Sequence, residues 1–307
     1  MVDRELRSCT GYRLEKGTVI AGIDYTVFER DSEHDFVHRP RDWVLPAHLR
    51  DRMSEPRCDP TLDTSSNVPP VPYVNALDGK VIAQIPMQGL NRVSRMKLRR
   101  FLTQGENLNI QFNKYLEKVD VHSESVSVTF RDGTTEAGNI AIGCDGSHSK
   151  VREFLVGHDA AQLESVDLTM INYPLGGYTA DEARLLQTMH PVFKIAAHPE
   201  QPGNAILAAL DIADPNDPTT WKFQNYLGWW GPPYAKDLQD PEVRMKFYKS
   251  RVSTLCEPFR TGGMKLADDA VVPVYPGQQW APTMAWDNYG GKVTLAGDAA
   301  HSMVPRK

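Results

Sequence analysis

The sequence predicts an α/β protein whose parallel strands end at a ligand site, and two stretches carry this prediction. In residues 291–306 a short apolar run ends at Gly297 and Asp298, and a helix pattern follows. In residues 140–152 another apolar run ends near an acidic residue, Asp145, before a polar helix start. Ligands of open α/β sheets bind at the carboxyl ends of the strands, so two such junctions predict one extended ligand.

The chemistry of the later junction suits an anionic ligand that carries hydroxyl groups. Gly297 lets a ligand approach the backbone closely, and the helix start offers unpaired N–H groups to an anion. The carboxylate of Asp298 can accept a hydrogen bond from a sugar hydroxyl. The alternative is an aspartate that only caps the helix, with no ligand bound.

Composition narrows the class of protein. The chain has 307 residues, of which 41% are hydrophobic and 24% charged, as in globular proteins with room for two domains. The net charge of −5 argues against nucleic acid as a partner. No apolar run is long enough to span a bilayer, and the first residues lack a secretory core. These features predict a protein without an integral membrane segment. The four scattered cysteines favour reduced thiols, which predicts a cytoplasmic protein.

The two junctions together resemble a known family, the FAD-dependent aromatic-type monooxygenases of the p-hydroxybenzoate hydroxylase fold. In that family a D-G-x-x-S-x-x-R motif touches the flavin and nicotinamide cofactors, and a G-D-A-A-H-x-x-x-P motif binds the ribityl chain and pyrophosphate of FAD. The first motif is matched by Asp145, Gly146, Ser149 and Arg152, and the second by Gly297, Asp298, Ala299, Ala300, His301 and Pro305.

The resemblance implies a Rossmann-like FAD-binding domain with an inserted α+β substrate domain. The FAD-binding domain is expected in residues 19–72, 87–165 and 275–307, and the substrate domain in residues 73–86 and 166–274. Residues 1–18 are unassigned, because they contain neither the first strand nor the G-x-G-x-x-G turn that opens such a domain.

Three further residues are expected at the cofactor. A predicted strand ends at Glu29 and Arg30, and in the family the acid at that position binds the adenosine ribose of FAD; the alternative is an exposed glutamate at a strand end. Residues 93–102 have a helix pattern with Ser94 as a possible N-cap. In the family an arginine at the start of this helix reaches the flavin, and Arg95 is the matching position unless it is a simple surface arginine.

The remaining elements are predicted from periodicity. Residues 31–72 read as a polar, proline-rich connection in which His34 and His38 have metal-ligand spacing without a third ligand, so no metal is predicted. The patterns also predict hairpins over 73–86 and 192–210, strands over 110–121 and 126–130, and a helix over 241–255. Aromatic residues of the 166–274 region fit core packing or stacking on a planar substrate: Tyr173, Tyr178, Phe193, Trp221, Phe223, Tyr226, Trp229 and Trp230.

The function implied by the resemblance is NAD(P)H-driven hydroxylation of a small aromatic or polyketide-like substrate by O2, through a flavin hydroperoxide. No catalytic residue is predicted. The missing glycine-rich turn and the end at Lys307, soon after Pro305, lead us to expect weak or absent FAD binding. The alternatives are a different FAD oxidoreductase of the same superfamily and a non-catalytic remnant without FAD.

Overall fold

The computed structural model describes residues 24–38, 44–47, 69–86, 91–94, 108–212, 214–281 and 285–304. The chain divides into two compact units, each built from separate segments. The first unit comprises Met1–Pro40, Leu98–Val166 and Gln278–Lys307, and the second comprises Arg41–Lys97 and Asp167–Gly277. No helix in the described ranges is both long enough and apolar enough to cross a membrane.

The helices and strands follow in chain order. They are β1 (Val27–Phe28), α1 (Glu33–His38), β2 (Val44–Ala47), β3 (Val71–Asn75), β4 (Val81–Ile85), β5 (Asn91–Ser94), β6 (Ile110–Gln111), β7 (Leu116–Val121), β8 (Val126–Phe130), β9 (Thr135–Gly138), β10 (Ala141–Gly143), α2 (Lys150–Val156), β11 (Glu164–Leu175), α3 (Ala180–Leu186), β12 (Phe193–Ala197), β13 (Gly203–Asp211), β14 (Lys222–Trp230), α4 (Pro241–Val252), α5 (Phe259–Met264), β15 (Val274–Gln279), β16 (Val293–Leu295) and α6 (Asp298–His301).

The second unit contains a seven-stranded sheet in the order β15-β11-β14-β13-β12-β3-β4. The predicted hairpins are present as β3–β4 and β12–β13, both antiparallel. One face of this sheet carries a row of directly opposed residues, four of them in the hydrophobic core cluster and Leu227 packed against it: Ile171, Leu227, Ala205, Ala196 and Val74. The same cluster includes side chains of α3, α4 and α5, so these helices cover this face.

Most of the predicted aromatic cluster lies in that core. Tyr173, Tyr178, Trp221, Phe223 and Trp229 are buried there, which confirms core packing for these five residues. The helix predicted over 241–255 is α4, capped by the Asp240 carboxylate, which accepts from the backbone N–H groups two and three residues on at 2.8 and 3.3 Å. It ends three residues earlier than predicted, at Val252.

The first unit holds two short parallel ladders, β1–β6 and β10–β16, and the antiparallel meander β7-β8-β9. The meander turns at Gly133, whose φ of 82° lies in the region that favours glycine. A small core joins the meander, α2 and β16 through Val119, Val151 and Val293.

Three predictions about local structure were wrong in part. The 31–72 connection contains α1 and β2. Val93 and Ser94 belong to β5, because pairing of Val93 with Leu45 of β2 overrides the helix pattern there. The strand predicted over 110–121 is two strands, since Asn113 adopts a φ of 61° and its N–H donates to Asp31 O at 3.1 Å.

Candidate functional site

The two junctions singled out in the sequence follow neighbouring strands. In the parallel pair β10–β16, Ala141 lies opposite Val293 and Gly143 opposite Leu295. Beyond the ladder, the Ala296 N–H donates to Gly143 O at 2.9 Å. Because the two strands are parallel, their carboxyl ends lie at the same edge of the sheet, and the two motifs begin there side by side.

Gly143 lets helix α2 pack directly on this pair of strands. A Cβ at this position would lie 2.6 Å from Val151 Cβ and 2.9 Å from Leu295 Cδ2. Any side chain would therefore push the helix away from the strand end. The sequence analysis did not single out Gly143. A glycine at the end of an apolar strand indicates a close approach of another element, and this was the signal that could have identified it.

The carboxylate of Asp145 serves the start of α2. It accepts hydrogen bonds from Lys150 N at 2.6 Å, Val151 N at 3.3 Å and the Ser149 hydroxyl. Ser149 Oγ in turn accepts from Arg152 N at 2.9 Å. The N–H groups of Lys150, Val151 and Arg152 at the start of α2 are thus satisfied within the chain, and this helix start offers none of them to an anion.

Arg152 connects the two motifs from inside the protein. Its side chain is buried, and its guanidinium donates to the carbonyl oxygens of Ser147, Ala161, Asp298 and Ala299. It also lies over the Trp280 ring, 4.6 Å from the centroid. A planar, permanently charged fork with five donors suits this many acceptors. The contact of Arg152 with a cofactor stays a prediction.

The turn between β16 and α6 has the features of a ligand-facing turn. Gly297 adopts φ 63° and ψ −143°, a conformation that side chains disfavour. Asp298 and Ala299 are buried, whereas Ala300 is half-buried and His301 is exposed. The role of the Asp298 carboxylate as an acceptor for a ligand hydroxyl group stays a prediction.

The other predicted cofactor residues are less informative. Glu29 is half-buried beyond β1, where its Oε1 accepts from Asp31 N at 3.0 Å. Arg30 Nε lies 3.9 Å from Asp31 Oδ1. Arg95 and Pro305 lie outside the described residues. Gly146 has a φ of 77° in the turn before α2.

Ser147 is a residue that the sequence analysis missed. Its side chain is fully buried in the first motif, and its Oγ has no hydrogen-bond partner among the described residues. A buried hydroxyl without a partner costs about 1–3 kcal/mol, which makes this atom a candidate for a ligand contact. Nothing in the periodicity of the sequence distinguishes it from a surface serine.

The other side of the sheet in the second unit carries a mixed polar and apolar row of buried and half-buried side chains. Opposite the helix-covered face, five directly opposed residues form a row across the sheet: Asn172, Tyr226, Ile206, Ile195 and Tyr73. We call this the second face. Directly opposed residues point to the same side of a sheet, so this row forms one continuous surface.

Hydrogen bonds on the second face pair its polar groups. Gln224 Nε2 donates to Asn172 Oδ1 at 3.0 Å, and Tyr73 OH donates to Asn204 Oδ1 at 3.2 Å. Burial raises the pKa of Tyr226 to about 12, so this phenol stays protonated at neutral pH. A Cβ at Gly228 would lie 2.2 Å from the Tyr226 hydroxyl oxygen, so the Tyr226 side chain lies along the strand over Gly228.

Comparison with known proteins decides the family. The chain is 32% identical over 317 residues to the FAD-dependent monooxygenase dbaB of Emericella nidulans, across 96% of this chain and 78% of the relative. The chain belongs to the FAD-dependent monooxygenases. This monooxygenase is also 29% identical over 301 residues to the FAD-dependent monooxygenase cctM of Talaromyces islandicus, across 92% of this chain and 72% of the relative. No protein-family model matches it.

Solved structures establish the fold of this monooxygenase. It superposes on 2,6-dihydroxypyridine-3-hydroxylase from Arthrobacter nicotinovorans with a TM-score of 0.74 at 19% identity, across 95% of this chain and 75% of that chain. At that identity the likeness concerns the fold alone. The predicted fold class, a Rossmann-like FAD-binding domain in an α/β protein, and the family resemblance are therefore confirmed.

The β16–α6 turn fits the cofactor of this oxidoreductase family. The positive φ of Gly297 disfavours any residue with a side chain, so the backbone of the turn stays open to a ligand. The Asp298 carboxylate that follows suits a ribityl hydroxyl. The Asp145 end of the site fits less directly, because its carboxylate already caps α2.

Proposed function

We propose that this chain binds FAD through the β16–α6 turn and uses it to hydroxylate a small aromatic or polyketide-like molecule, with NAD(P)H and O2 as co-substrates. The observation that supports this most is the parallel pairing of β10 with β16, which brings the two motifs to one sheet edge. When bound, FAD supplies the redox chemistry that transfers one oxygen atom to the substrate.

The residues of the first unit would hold the cofactor. Asp298 would accept from a ribityl hydroxyl, and Gly297 would allow close approach of the pyrophosphate. Glu29 would accept from the adenosine ribose, because it ends the strand β1 as the acid of a dinucleotide-binding fold does. Arg152 would keep the two turns in fixed positions through its bonds to Asp298 and Ala299.

The second unit would hold the substrate on its second face. Ile195 and Ile206 supply apolar area for a planar ring, while Tyr226 supplies a phenol hydroxyl that remains protonated. The amides of Asn172 and Gln224, already oriented by their mutual bond, can receive a hydroxyl or carbonyl group of the substrate. Their role is to orient the substrate and exclude water, and they move no proton.

The experiment is to load the purified chain with FAD, desalt it and record the visible spectrum. The proposal predicts a retained flavin band, contrary to the impaired binding expected from the missing glycine-rich turn. In Asp298→Asn it predicts a weakening of FAD binding of about tenfold or more, as for a lost hydrogen bond to a charged group. The matched control is Asp287→Asn, a carboxylate in the same unit whose Oδ1 accepts from the nearby Tyr289 N at 2.7 Å.

Substrate binding is tested separately, on protein that retains FAD. Tyr226→Phe removes only the hydroxyl, and we expect it to raise the KM for a phenolic substrate while the flavin spectrum stays unchanged. A colourless wild-type chain would refute the FAD proposal, whereas an unchanged KM in Tyr226→Phe would refute only the assignment of the second face.

A further inference from the structure

The second unit contains a small cavity on the helix-covered side of its sheet. The cavity has a volume of about 30 Å³. Since about 10–15 Å³ suffices for one water, it has room for one or two waters or for a small ion. Its walls are mainly apolar and come from Ala76, Ala196, Ala205, Leu227, Trp229 and Leu255.

Two side chains that can carry positive charge line this apolar cavity, Arg251 of α4 and His198 of the β12–β13 hairpin. Arg251 is half-buried, and its guanidinium lies over the Phe247 ring, 5.2 Å from the centroid. In the part of the chain that the structure describes, this guanidinium makes no salt bridge or hydrogen bond. Burial lowers the pKa of Arg251 from its usual value. A guanidinium that loses water and gains an aromatic ring but no hydrogen-bond acceptor remains under-solvated, and an anion in the cavity would relieve this cost.

The orientation of His198 adds a neutral donor at the same place. Its Nδ1 accepts from Glu200 N at 3.2 Å and from Gln201 N at 3.1 Å. A neutral imidazole that accepts at Nδ1 carries its proton on Nε2, so Nε2 is the donor. Gln201 and Asn204 complete the polar part of the lining.

We propose that this cavity is a binding site for a small carboxylate of the size of formate, held by the guanidinium of Arg251 and by His198 Nε2–H. A carboxylate matches the planar fork of an arginine, and the alanine walls limit its size. Most of the cavity wall belongs to the helix-covered side of the sheet, although Asn204, which also lines the cavity, accepts from Tyr73 of the second face. Arg251 and His198 lie outside the second-face row, so formate binding does not require FAD.

Binding is measured by titrating the full chain with ¹³C-formate and following the formate NMR line width. For three heavy atoms the dissociation constant is expected on the order of 1 mM. Arg251→Gln should weaken binding at least tenfold. The matched control is Arg184→Gln, an exposed arginine paired with Asp181 at 3.1 Å, which should bind formate as the wild type does.

Two further measurements separate the proposal from a general loss of structure. Ala205→Val narrows the cavity without changing charge, and we expect it to weaken formate binding while the unfolding transition stays cooperative. In the wild type, burial lowers the pKa of His198, with Glu200 opposing and Arg251 reinforcing the shift. Bound formate should raise this pKa, as read from the His198 ring proton signals.

The proposal is overturned if the wild type shows no saturable formate signal. It is equally overturned if a well-folded Arg251→Gln binds formate as tightly as Arg184→Gln does. Weak binding that survives in Ala205→Val as well as in Arg251→Gln would place formate elsewhere on the surface and would also refute the site.

Discussion

Arg152 Nη1 lies 3.2 Å from the carbonyl oxygen of Ala299, and this bond joins the two cofactor motifs across 147 positions of the chain. The same guanidinium holds the carbonyls of Ser147 and Ala161. The residue that the family motif suggests as a cofactor contact is therefore also the internal link between the two turns. Replacing Arg152 should therefore lower the free energy of unfolding of the protein, whether or not FAD is bound.

Arg152→Met should lower the free energy of unfolding by about 3 kcal/mol or more, because several buried carbonyls lose a charged donor. Urea unfolding at pH 7 measures this change. Arg184→Met, at an exposed arginine on α3, should stay within about 0.5 kcal/mol of the wild type. Equal stability of the two variants would show that the Arg152 network does not hold the motifs together.

Ser147 and Ser149 are both buried in the first motif but should respond in opposite directions to alanine. Ser147 Oγ has no partner among the described residues, so Ser147→Ala should leave the FAD-free protein equally stable or more stable by about 1 kcal/mol. Ser149 Oγ caps α2 through Arg152 N, so Ser149→Ala should destabilise it by about 1–2 kcal/mol.

Thermal unfolding of the two serine variants without FAD gives the comparison. If FAD contacts Ser147, the Ser147→Ala variant should also gain less stability from added FAD than the wild type does. A destabilised FAD-free Ser147→Ala would mean that this hydroxyl has a protein partner.

Gly143→Ala should destabilise the first unit by about 1–3 kcal/mol, because the new methyl group would overlap Val151 and Leu295. Gly138→Ala on the exposed strand β9 is the control, since the nearest atom to its Cβ would be Ile140 O at 3.9 Å. Chemical denaturation of both variants tests the packing of α2 on β10. Identical midpoints would contradict that packing.

The turn of the meander predicts a pH effect at Asp132. The Lys114 ammonium, 2.8 Å away, and the Thr134 donors lower the pKa of Asp132 from 3.8 to about 2. A carboxyl group with a lowered folded pKa stabilises the protein above pH 3.8, and this contribution disappears as the pH falls toward 2. Asp132→Asn should therefore be less stable than the wild type at pH 6, and the difference should shrink by pH 3.

Urea midpoints of the wild type and Asp132→Asn across that range measure the effect, which should be small because the pair is at the surface. The Lys114→Met variant should remove most of the pH-dependent difference. A gap between wild type and Asp132→Asn that does not vary with pH would show that the ion pair is absent in solution.

The sequence alone was sufficient for the elements whose signal is local. The Gly297-Asp298 and Asp145-Gly146 junctions, the hairpins around Asp78-Gly79 and residues 198–202, and the helix that begins at Pro241 all follow from turn chemistry and periodicity. The family resemblance rested on the same junctions, because their residues are close in the chain. The seven-stranded sheet order was not predicted, since pairing of β3 with β12 depends on contacts between distant segments.

What the sequence determined is therefore the family and the position of the two junctions that carry the motifs, because glycines, acids and helix starts act within a few residues. What only the tertiary structure decided is which distant groups the side chains contact. Arg152 reaches Ala299, 147 positions away, from inside the protein, and Arg251 lines a cavity with His198 and without an acidic partner among the described residues. Partners so far apart in the chain are set by packing, which no local pattern encodes.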